Sequence, residues 1–291
     1  MQHGRFETPT LGELRQRCNN VENSGALRFR EVVADVQELH RSPDNAGALF
    51  QVASQFNTLE MTSPSATPDD GIDRYERDRT QGPACAIACG AGTIYRNYLV
   101  PLSGRIGQSA NHQVNCLADM AAYLGVDIDM RNGYAFPTGA QLDEVHNLLL
   151  GADESRRDEL MAQLRIGMQW DTEVTLADGG HTVTQAYCSA LPIAYAEHDP
   201  ARWEPFARLV LDAAYEATLA AAVVNAQAAG NHTVYLTLLG GGVFGNTLSW
   251  ILSAIERGLE IFAHSDLDLA VVSYGRANPQ LQQLQVRGGT S

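Results

Sequence analysis

The amino-acid sequence predicts an α/β domain in which helices pack against a largely parallel or mixed sheet. Short apolar runs rich in β-forming residues alternate with segments whose apolar residues recur at helical spacing. The 291 residues are 45% apolar, which is enough to bury a sizeable core. The clearest unit runs from Val234 to Ile255, where a strand stops at three glycines and a helix begins after Asn246. These observations favour a single layered domain, residues 1–291.

The remaining elements follow from the same patterns. Strands are expected at 27–35, 48–56, 167–174, 183–195, 234–239 and 267–275. Helices are expected at 11–18, 84–99, 203–229 and from 248 onward, where Gly258 is expected to stop the last one. Residues 101–166 read as a mainly helical insertion that carries no chemistry of its own, and residues 277–291 read as a loose polar tail.

Composition excludes several function classes. The chain carries 34 acidic and 20 basic residues, for a formal net charge of −14, which opposes non-specific attraction to nucleic acid or to an anionic membrane. The five cysteines are scattered and include no CxxC pair, which favours reduced thiols in the cytosol. The N-terminus lacks an apolar signal core, so we expect a cytoplasmic protein or one delivered into a host cytosol by a dedicated apparatus.

The glycine-rich stretch Gly240–Asn246 is the first candidate binding loop. Glycines at a strand-to-helix junction allow a tight turn that presents backbone N–H groups to a ligand, and the following helix N-terminus carries partial positive charge. Phosphate is the natural ligand of such a loop. The alternative is a simple strand-to-helix turn in which the glycines only end the strand and bind no ligand, with Asn246 acting as a helix cap.

A second candidate loop follows the strand that ends near Asn57. It is dense in Pro, Asp, Gly and Arg, so it is expected to be exposed, and it holds Asp69, Asp70, Asp73 and Asp78. In open α/β sheets ligands bind beyond the carboxyl ends of the strands. If both loops lie at one sheet edge, the glycine loop holds a diphosphate while Asn57 and the aspartates reach an attached sugar, as a nucleotide-sugar requires.

The sequence resembles the macrodomain family, whose members bind ADP-ribose or hydrolyse ADP-ribosyl linkages. The resemblance rests on five stretches that occur in the family's order: VVADVQEL, VASQFN, QGPACAIACGAG, YCSALPIAY and GGGVFGN. It implies a three-layer αβα fold with a mixed central sheet, in which residues 101–166 form a helical insertion. The runs DRTQGPACAIACGAGTIYRNY and QWDTEVT are similar to a divergent branch that includes bacterial effectors removing ADP-ribose from arginine, notably on ubiquitin.

The resemblance also implies roles for individual residues. Asp35 is expected to contact adenine, and Asn57 to lie on the ribose side. Phe244 is expected against the distal ribose. The ADP-ribose contacts expected of the two glycine-containing loops fall on Gln81, Gly82, Gly240, Gly241, Gly242, Val243, Gly245 and Asn246. No cofactor or metal is expected.

One position departs from the family pattern. Common macrodomain hydrolases carry an Asp two residues after the glycine of the first loop, and the matching residue here is Ala84. Hydrolysis at C1 of the distal ribose needs a carboxylate that directs water and complements the cationic transition state. The candidates are Asp70, Asp73 and Asp78, with Glu60 just beyond the strand end. Several carboxylates also suit an arginine acceptor, because paired oxygens bind a guanidinium well.

The sequence leaves two other functions open and disfavours a third. A binding module that recognises ADP-ribose without cleaving it is kept open by Ala84, and an enzyme of free nucleotides or nucleotide-sugars is a second alternative. A dinucleotide-dependent dehydrogenase is disfavoured, because the glycines lie late in the chain and no acidic residue ends a strand about 20 residues after them.

The remaining cysteine and histidine pairs are more simply interpreted as structural residues than as reactive or metal-binding ones. Cys85 and Cys89 are more typical of buried small thiols than of a redox pair. His112 and Cys116 have the spacing of two metal ligands without further partners.

Overall fold

The computed structural model of the protein describes residues 1–177 and 179–288. In chain order its elements are β1 (Arg5–Glu7), α1 (Leu11–Asn19), β2 (Arg28–Val33), α2 (Val36–Arg41), β3 (Leu49–Ala53), α3 (Gln81–Ala88), α4 (Gly90–Ile94), β4 (Pro101–Leu102), β5 (Arg105–Ile106), α5 (Ala118–Leu124), β6 (Met130–Arg131), β7 (Tyr134–Ala135), α6 (Gly139–Leu150), α7 (Glu154–Ala162), β8 (Gly167–Glu173), β9 (Thr182–Cys188), α8 (Pro200–Ala229), β10 (Thr233–Leu236), α9 (Leu248–Ile261), β11 (Asp268–Ser273) and α10 (Pro279–Gly288). Short 3₁₀ turns and one π-helical turn, Tyr95–Leu99, complete the structure of the described residues.

A seven-stranded mixed sheet in the order β1-β8-β9-β3-β10-β11-β2 forms the centre of the molecule. The five strands from β9 to β2 pair in parallel, whereas β8 runs antiparallel to both of its neighbours. The carboxyl ends of those five parallel strands therefore lie at one edge of the sheet. The predicted α/β class with a mixed sheet is confirmed.

Helices cover both faces of the sheet, because alternate strand residues point to opposite sides. In β3, Leu49 joins the core beneath the long helix α8, whereas Phe50 and Val52 join a second core with Val36 of α2 and Cys85 of α3. Helices α1, α6, α7 and α9 pack around α8. The result is the three-layer αβα arrangement that the resemblance implied.

The long helix α8 is the central core helix. It begins after Asp199, whose side chain accepts a hydrogen bond from the N–H of Ala201, and it ends at Gly230 in the left-handed conformation. By length and composition alone α8 is apolar enough to cross a membrane, but 89% of its apolar window is buried inside the protein. Its apolar surface is therefore used for packing against the sheet and the neighbouring helices.

The six predicted strands all form, with shifted ends. The run 183–195 ends as a strand at Cys188, and its last part, Ile193–Tyr195, is a 3₁₀ turn. The predicted helix 84–99 begins earlier, at Gln81, and is divided at Cys89 into α3, α4 and the π-helical turn. Helix α9 continues past Gly258, where the sequence predicts the helix to stop, to Ile261.

The insertion 101–166 contains helices α5, α6 and α7 together with two short hairpins, β4-β5 and β6-β7. The hairpin β6-β7 packs against the turn that follows β3: the N–H of Phe56 donates to the carbonyl oxygen of Gly133 at 2.9 Å. A Cβ built at Gly133 would lie 2.6 Å from the Asn57 side chain, so the contact is close. The insertion is thus attached to the edge of the sheet where ligands are expected.

The prediction of a loose tail is wrong for residues 279–288, which form α10. Leu281 is fully buried in the main core, and the N–H of Asn278 donates to the Glu31 carboxylate of β2 at 2.6 Å. Two leucines at helical spacing in a short, otherwise polar segment give too weak a periodicity to predict this docking. The last part of the predicted tail, residues 289–291, lies outside the described residues.

His40 makes folding stability depend on pH. Its ring is fully buried and stacks on Phe50 with 3.8 Å between centroids; Nδ1–H donates to the Val36 carbonyl, and Nε2 accepts from Gln185. Burial lowers the pKa of His40 from 6.5 to about 4. The unfolded chain therefore binds the proton more readily, so this stabilisation is complete above pH 6.5 and is lost as pH falls through 4. A shift of this size corresponds to a loss on the order of 3 kcal/mol.

We expect His40→Phe, which keeps the ring stacked on Phe50, to remove this part of the pH dependence. Denaturant unfolding at pH 7 and pH 4.5 measures it, since the carboxylate titrations common to both proteins cancel in the comparison. Parallel unfolding free energies for wild type and variant across that range would contradict the assignment.

Candidate active site

A cavity of about 250 Å³ opens at the carboxyl ends of β3 and β10. Three groups of residues line it: the segment after β3 together with the start of α3, the loop after β10, and three residues from other segments, Tyr134, Ala190 and Tyr195. The two loops that the sequence singled out therefore meet at one edge of the sheet. Their convergence follows from the parallel pairing of β3 with β10.

The tip of the glycine loop lines this cavity and carries backbone donors without a partner among the described residues. Gly240 and Gly245 both adopt φ of 74°, and the Asn246 side chain closes the loop by donating from Nδ2 to the carbonyl oxygens of Leu191 and Gly240. Between them, the N–H groups of Gly242, Val243 and Phe244 have no hydrogen-bond partner among the described residues. Three unpaired N–H groups at a glycine-rich tip form a site suited to an anion such as phosphate.

The predicted loop residues divide between these two roles. Gly240, Gly242, Val243 and Phe244 line the cavity. Gly241, Gly245 and Asn246 do not line it and instead shape the loop. A Cβ at Gly245 would lie 2.8 Å from Ala194, which shows how closely this part of the loop is packed.

Glu60 is the most deeply buried carboxyl group of the site, with 3% of the residue exposed. Its N–H donates to the Tyr75 hydroxyl oxygen at 3.0 Å, and its Oε1 has no hydrogen-bond partner among the described residues. Burial raises the pKa of Glu60 well above its ordinary value; the Arg96 guanidinium opposes this effect and the Asp78 carboxylate adds to it. Glu60 therefore keeps its proton at a pH where an exposed Glu is ionised.

Gly82 makes the close cover over Glu60 possible. A Cβ built at Gly82 would lie 2.0 Å from the carbonyl oxygen of Ala53 and 2.3 Å from Oε2 of Glu60. Gln81 ties the same helix start to β3, since its Oε1 accepts from the N–H of Ala53 and its Nε2 donates to the carbonyl oxygen of Gln51. Both predicted residues thus line the cavity and fix its shape.

The structure separates the candidate aspartates. Asp78 lines the cavity and is oriented by the Thr80 N–H and hydroxyl, which donate to Oδ1 at 2.9 and 2.7 Å. Asp70 and Asp73 are exposed and line neither this cavity nor its neighbour. Asp70 instead accepts from the Thr67 N–H, which lowers the pKa of its carboxyl, so it serves as a local cap. Glu60 and Asp78 are the carboxyl groups brought together.

Asn57 does not reach the cavity. It is fully buried; its Nδ2 donates to Gln113 at 3.0 Å and its Oδ1 accepts from the N–H of Leu59 at 3.1 Å. Its amide group is used to hold the turn after β3. The ribose-side contact expected of Asn57 is therefore not available in this arrangement.

A second, larger groove of about 1140 Å³ continues the cavity beneath the ends of β2 and β11. The two share Asp78, Thr80, Gln81, Thr237 and Leu238, so they form one elongated cleft. Asp35 lies at the far end of this groove as the N-cap of α2, accepting from the N–H of Gln37 at 2.8 Å. Ala84 lines the groove too, together with the exposed Tyr274 and Arg276.

An aromatic cluster closes the opposite end of the cleft, and sequence reasoning missed most of it. Tyr134, Tyr195 and Phe244 have ring centroids 5.3 to 5.9 Å apart, and all three line the cavity. Tyr134 comes from the insertion, which was predicted to carry no chemistry, and its hydroxyl donates to the carbonyl oxygen of Met61 at 2.7 Å. The Asn132-Gly133 pair before it, with φ of 48° and 80°, is a hairpin signal that could have located this strand.

The remaining candidate residues have structural roles. Among the described residues, no three His, Cys, Asp or Glu side chains converge as metal ligands. His112 bonds to the backbone of Leu102, and Cys116 is buried. Cys85 and Cys89 are also buried, and burial raises the pKa of both thiols, which keeps them unreactive.

Comparison with solved structures identifies the fold. The chain is similar to poly(ADP-ribose) glycohydrolase from Deinococcus radiodurans in complex with ADP-ribose, with 13% sequence identity, a TM-score of 0.53, and coverage of 98% of this chain and 93% of that one. The apo form of the same enzyme gives 12% identity and a TM-score of 0.50, covering 98% and 91%. No protein-family model and no curated protein sequence matches the chain. The three-layer, macrodomain-like α/β fold is thereby confirmed.

We expect Gly82→Ala to destabilise the protein by about 1–3 kcal/mol, because the added Cβ overlaps the Ala53 carbonyl and the Glu60 carboxyl. Denaturant unfolding measures the loss. The matched control is Gly139→Ala at the first residue of α6, where the nearest atoms to the added Cβ lie 3.6 and 3.7 Å away. Equal stability of the two variants would show that the close cover over Glu60 is not a constraint.

Proposed function

We propose that this chain is a hydrolase that binds ADP-ribose in the elongated cleft and releases it from a modified protein side chain, with arginine as the favoured acceptor. One observation carries the proposal: a buried carboxyl group, Glu60, whose pKa is raised by burial, shares a cavity with a glycine loop whose tip has three N–H groups without a partner among the described residues. An anion-binding loop beside a proton-holding carboxyl is the combination that a phosphate-linked sugar substrate requires.

The two unequal parts of the cleft suggest how the parts of ADP-ribose are arranged in it. The adenosine end belongs in the larger groove, where Asp35 lies. The diphosphate belongs at the tip Gly242–Phe244, which lines the smaller cavity, and the distal ribose then lies in the same cavity, between Glu60, Asp78 and Phe244. Binding of ADP-ribose to this fold is supported by the solved structure of a similar fold in complex with ADP-ribose.

The reaction transfers one proton in total. Water adds to C1 of the distal ribose as hydroxide, the electron pair of the C–N bond goes to the departing guanidine nitrogen, and the proton lost by water ends on that guanidine. Glu60 is the group that holds a proton for the leaving side, whereas Asp78, oriented by Thr80, directs the water. The Asp78 carboxylate complements the positive charge that develops on the ribosyl ring, and Glu60 does so once it has given up its proton.

The arginine preference rests on the sequence resemblance and on the Asp78 carboxylate in the cavity, because a guanidinium is favoured beside an ionised carboxylate. Ubiquitin is a candidate acceptor protein on the same resemblance, and a cytosolic setting remains part of the proposal. A second candidate activity is cleavage of the O-glycosidic bond of ADP-ribose polymers, favoured by the solved structure of the same fold, which is a poly(ADP-ribose) glycohydrolase. A binding module without catalysis is disfavoured by Glu60, whose burial such a module does not need.

We expect wild type to release ADP-ribose from an arginine-modified protein, and Glu60→Gln and Asp78→Asn each to lower kcat by about 100-fold or more. Asp70→Asn, in the same loop but outside the cleft, should stay within a few-fold of wild type. Chromatography of released ADP-ribose measures all four proteins. Normal turnover by both Glu60→Gln and Asp78→Asn would refute the assignment of these two carboxyl groups.

Calorimetry with free ADP-ribose separates binding from catalysis. Glu60→Gln should bind ADP-ribose within a few-fold of wild type, because Gln keeps the shape of the protonated carboxyl. A wild type that binds ADP-ribose but is inert on arginine-, glutamate- and serine-linked substrates, on ADP-ribose polymers and on free derivatives would leave only the binding module.

A further inference from the structure

The turn before Glu60 contains a strained residue. Thr58 is fully buried and has φ of 63°, a left-handed conformation that is rare for a β-branched residue. Its Oγ1 has no hydrogen-bond partner among the described residues. Strain of this kind persists only where the surroundings hold the backbone in place.

Arg96 supplies that support. Its side chain, fully buried in the π-helical turn, donates from Nε to the carbonyl oxygen of Thr58 at 3.1 Å. Its other nitrogens donate to Gln169 and Thr93, both at 3.2 Å, and its guanidinium carbon lies 3.5 Å from the centroid of the Tyr187 ring. A second donor, Nε2 of Gln108, binds the carbonyl oxygens of both Asn57 and Arg96. The turn is therefore held at two successive carbonyls.

No carboxylate among the described residues lies within 4.0 Å of the Arg96 guanidinium. Burying a cation without an ion pair is expensive, and π-helical turns often occur at functional sites. The stacking on Tyr187 and the three hydrogen bonds offset part of this cost. What remains is a fixed positive charge close to the cleft.

Glu60 faces a small set of titratable groups. They are Asp78 on the loop before α3, Tyr75 on the preceding 3₁₀ turn, Cys85 on α3, Tyr134 on β7, Tyr187 on β9 and Arg96. Arg96 is the single cation of this set. The group that holds the turn before Glu60 is thus also the group that opposes the effect of burial on its charge.

We propose that Arg96 is a positioning residue, which holds the strained Thr58 turn so that Glu60 points into the cleft and which places a positive charge beside the Glu60 carboxyl. The inference rests on the proposed function only in taking Glu60 as the group that meets the substrate. The role of Arg96 in setting the position and the charge of Glu60 is a property of the substrate-free protein and can be tested there.

Carboxyl NMR titration tests the charge in the absence of turnover. The Glu60 signal is identified as the one missing in Glu60→Gln, and Arg96→Met should move its titration midpoint to higher pH by about one unit or more. Arg96→Lys, which keeps the charge, should leave the midpoint near that of wild type. An unchanged midpoint in a folded Arg96→Met protein overturns the electrostatic half of the inference.

The positional half is tested by relieving the strain. Because glycine adopts positive φ without cost, the loss of melting temperature caused by Arg96→Met should be smaller in a Thr58→Gly background than in wild type. Equal losses in the two backgrounds overturn it. If Arg96→Met alone does not fold, folding of the double variant supports the inference. If neither variant folds, Arg96→Lys decides: a Glu60 titration midpoint moved to higher pH in this variant, which keeps the positive charge, overturns the inference.

In an active enzyme, Arg96→Met should lower kcat by about tenfold or more with little change in KM, because the cleft that binds ADP-ribose is kept. If the wild-type protein is inert on every linkage, the proposed function fails. The Glu60 titration and the melting temperatures in the Thr58→Gly background still decide the role of Arg96 in that case. An active enzyme with unchanged kcat and pH profile in Arg96→Met overturns the inference while the proposed function stands.

Discussion

The contact of the Gly82 backbone with Glu60 and with the end of β3 is the constraint on which the site depends. With no side chain at this position, the first turn of α3 closes directly onto Ala53 and covers the carboxyl group. The cover removes Glu60 from water, which favours its protonated form, and it also draws Gln81 into contact with β3. One missing Cβ therefore shapes the cavity and sets the charge of its acid at the same time.

Around this contact the molecule accepts several costs that a purely structural domain would avoid. Within the part of the chain that the structure describes, the Glu60 carboxyl is buried with an oxygen that has no hydrogen-bond partner, the Arg96 guanidinium is buried without an ion pair, and Thr58 is held at positive φ. Thr58 and Glu60 lie in the turn after β3, and Arg96 donates to the carbonyl oxygen of Thr58 in that turn. Local violations of this kind, concentrated at one place in an otherwise consistent fold, are typical of functional sites. The aromatic wall of Tyr134, Tyr195 and Phe244 has no such cost and gives the cleft a rigid end.

The sheet and its edge could be predicted from the sequence, because buried parallel strands read as continuous apolar runs and the glycine loop follows one of them directly. Whether the two candidate loops share one edge could not be predicted, and it is the parallel pairing of β3 with β10 that brings them together. The choice among Glu60, Asp70, Asp73 and Asp78 could not be predicted, since it depends on which way an irregular loop turns. Asn57 illustrates the same limit: its position after β3 suggested recognition, yet Gln113 of the insertion, which is far away in sequence, takes its amide group. Tyr134 and Arg96 were missed because their roles arise from long-range contacts with the turn.

The absence of an acid at Ala84 does not leave the cleft without one. Ala84 lines the larger groove rather than the cavity that holds Glu60, so a carboxylate at this position would lie in that groove. The buried carboxyl group of the smaller cavity is instead supplied by the turn after β3, under the cover of Gly82. A shared fold at 13% identity therefore gives the location of the cleft, whereas the chemistry must be argued from the groups that enter it. For this chain those groups are a buried carboxyl whose pKa is raised by burial, a second carboxyl oriented by Thr80, and three backbone donors at the tip of the glycine loop.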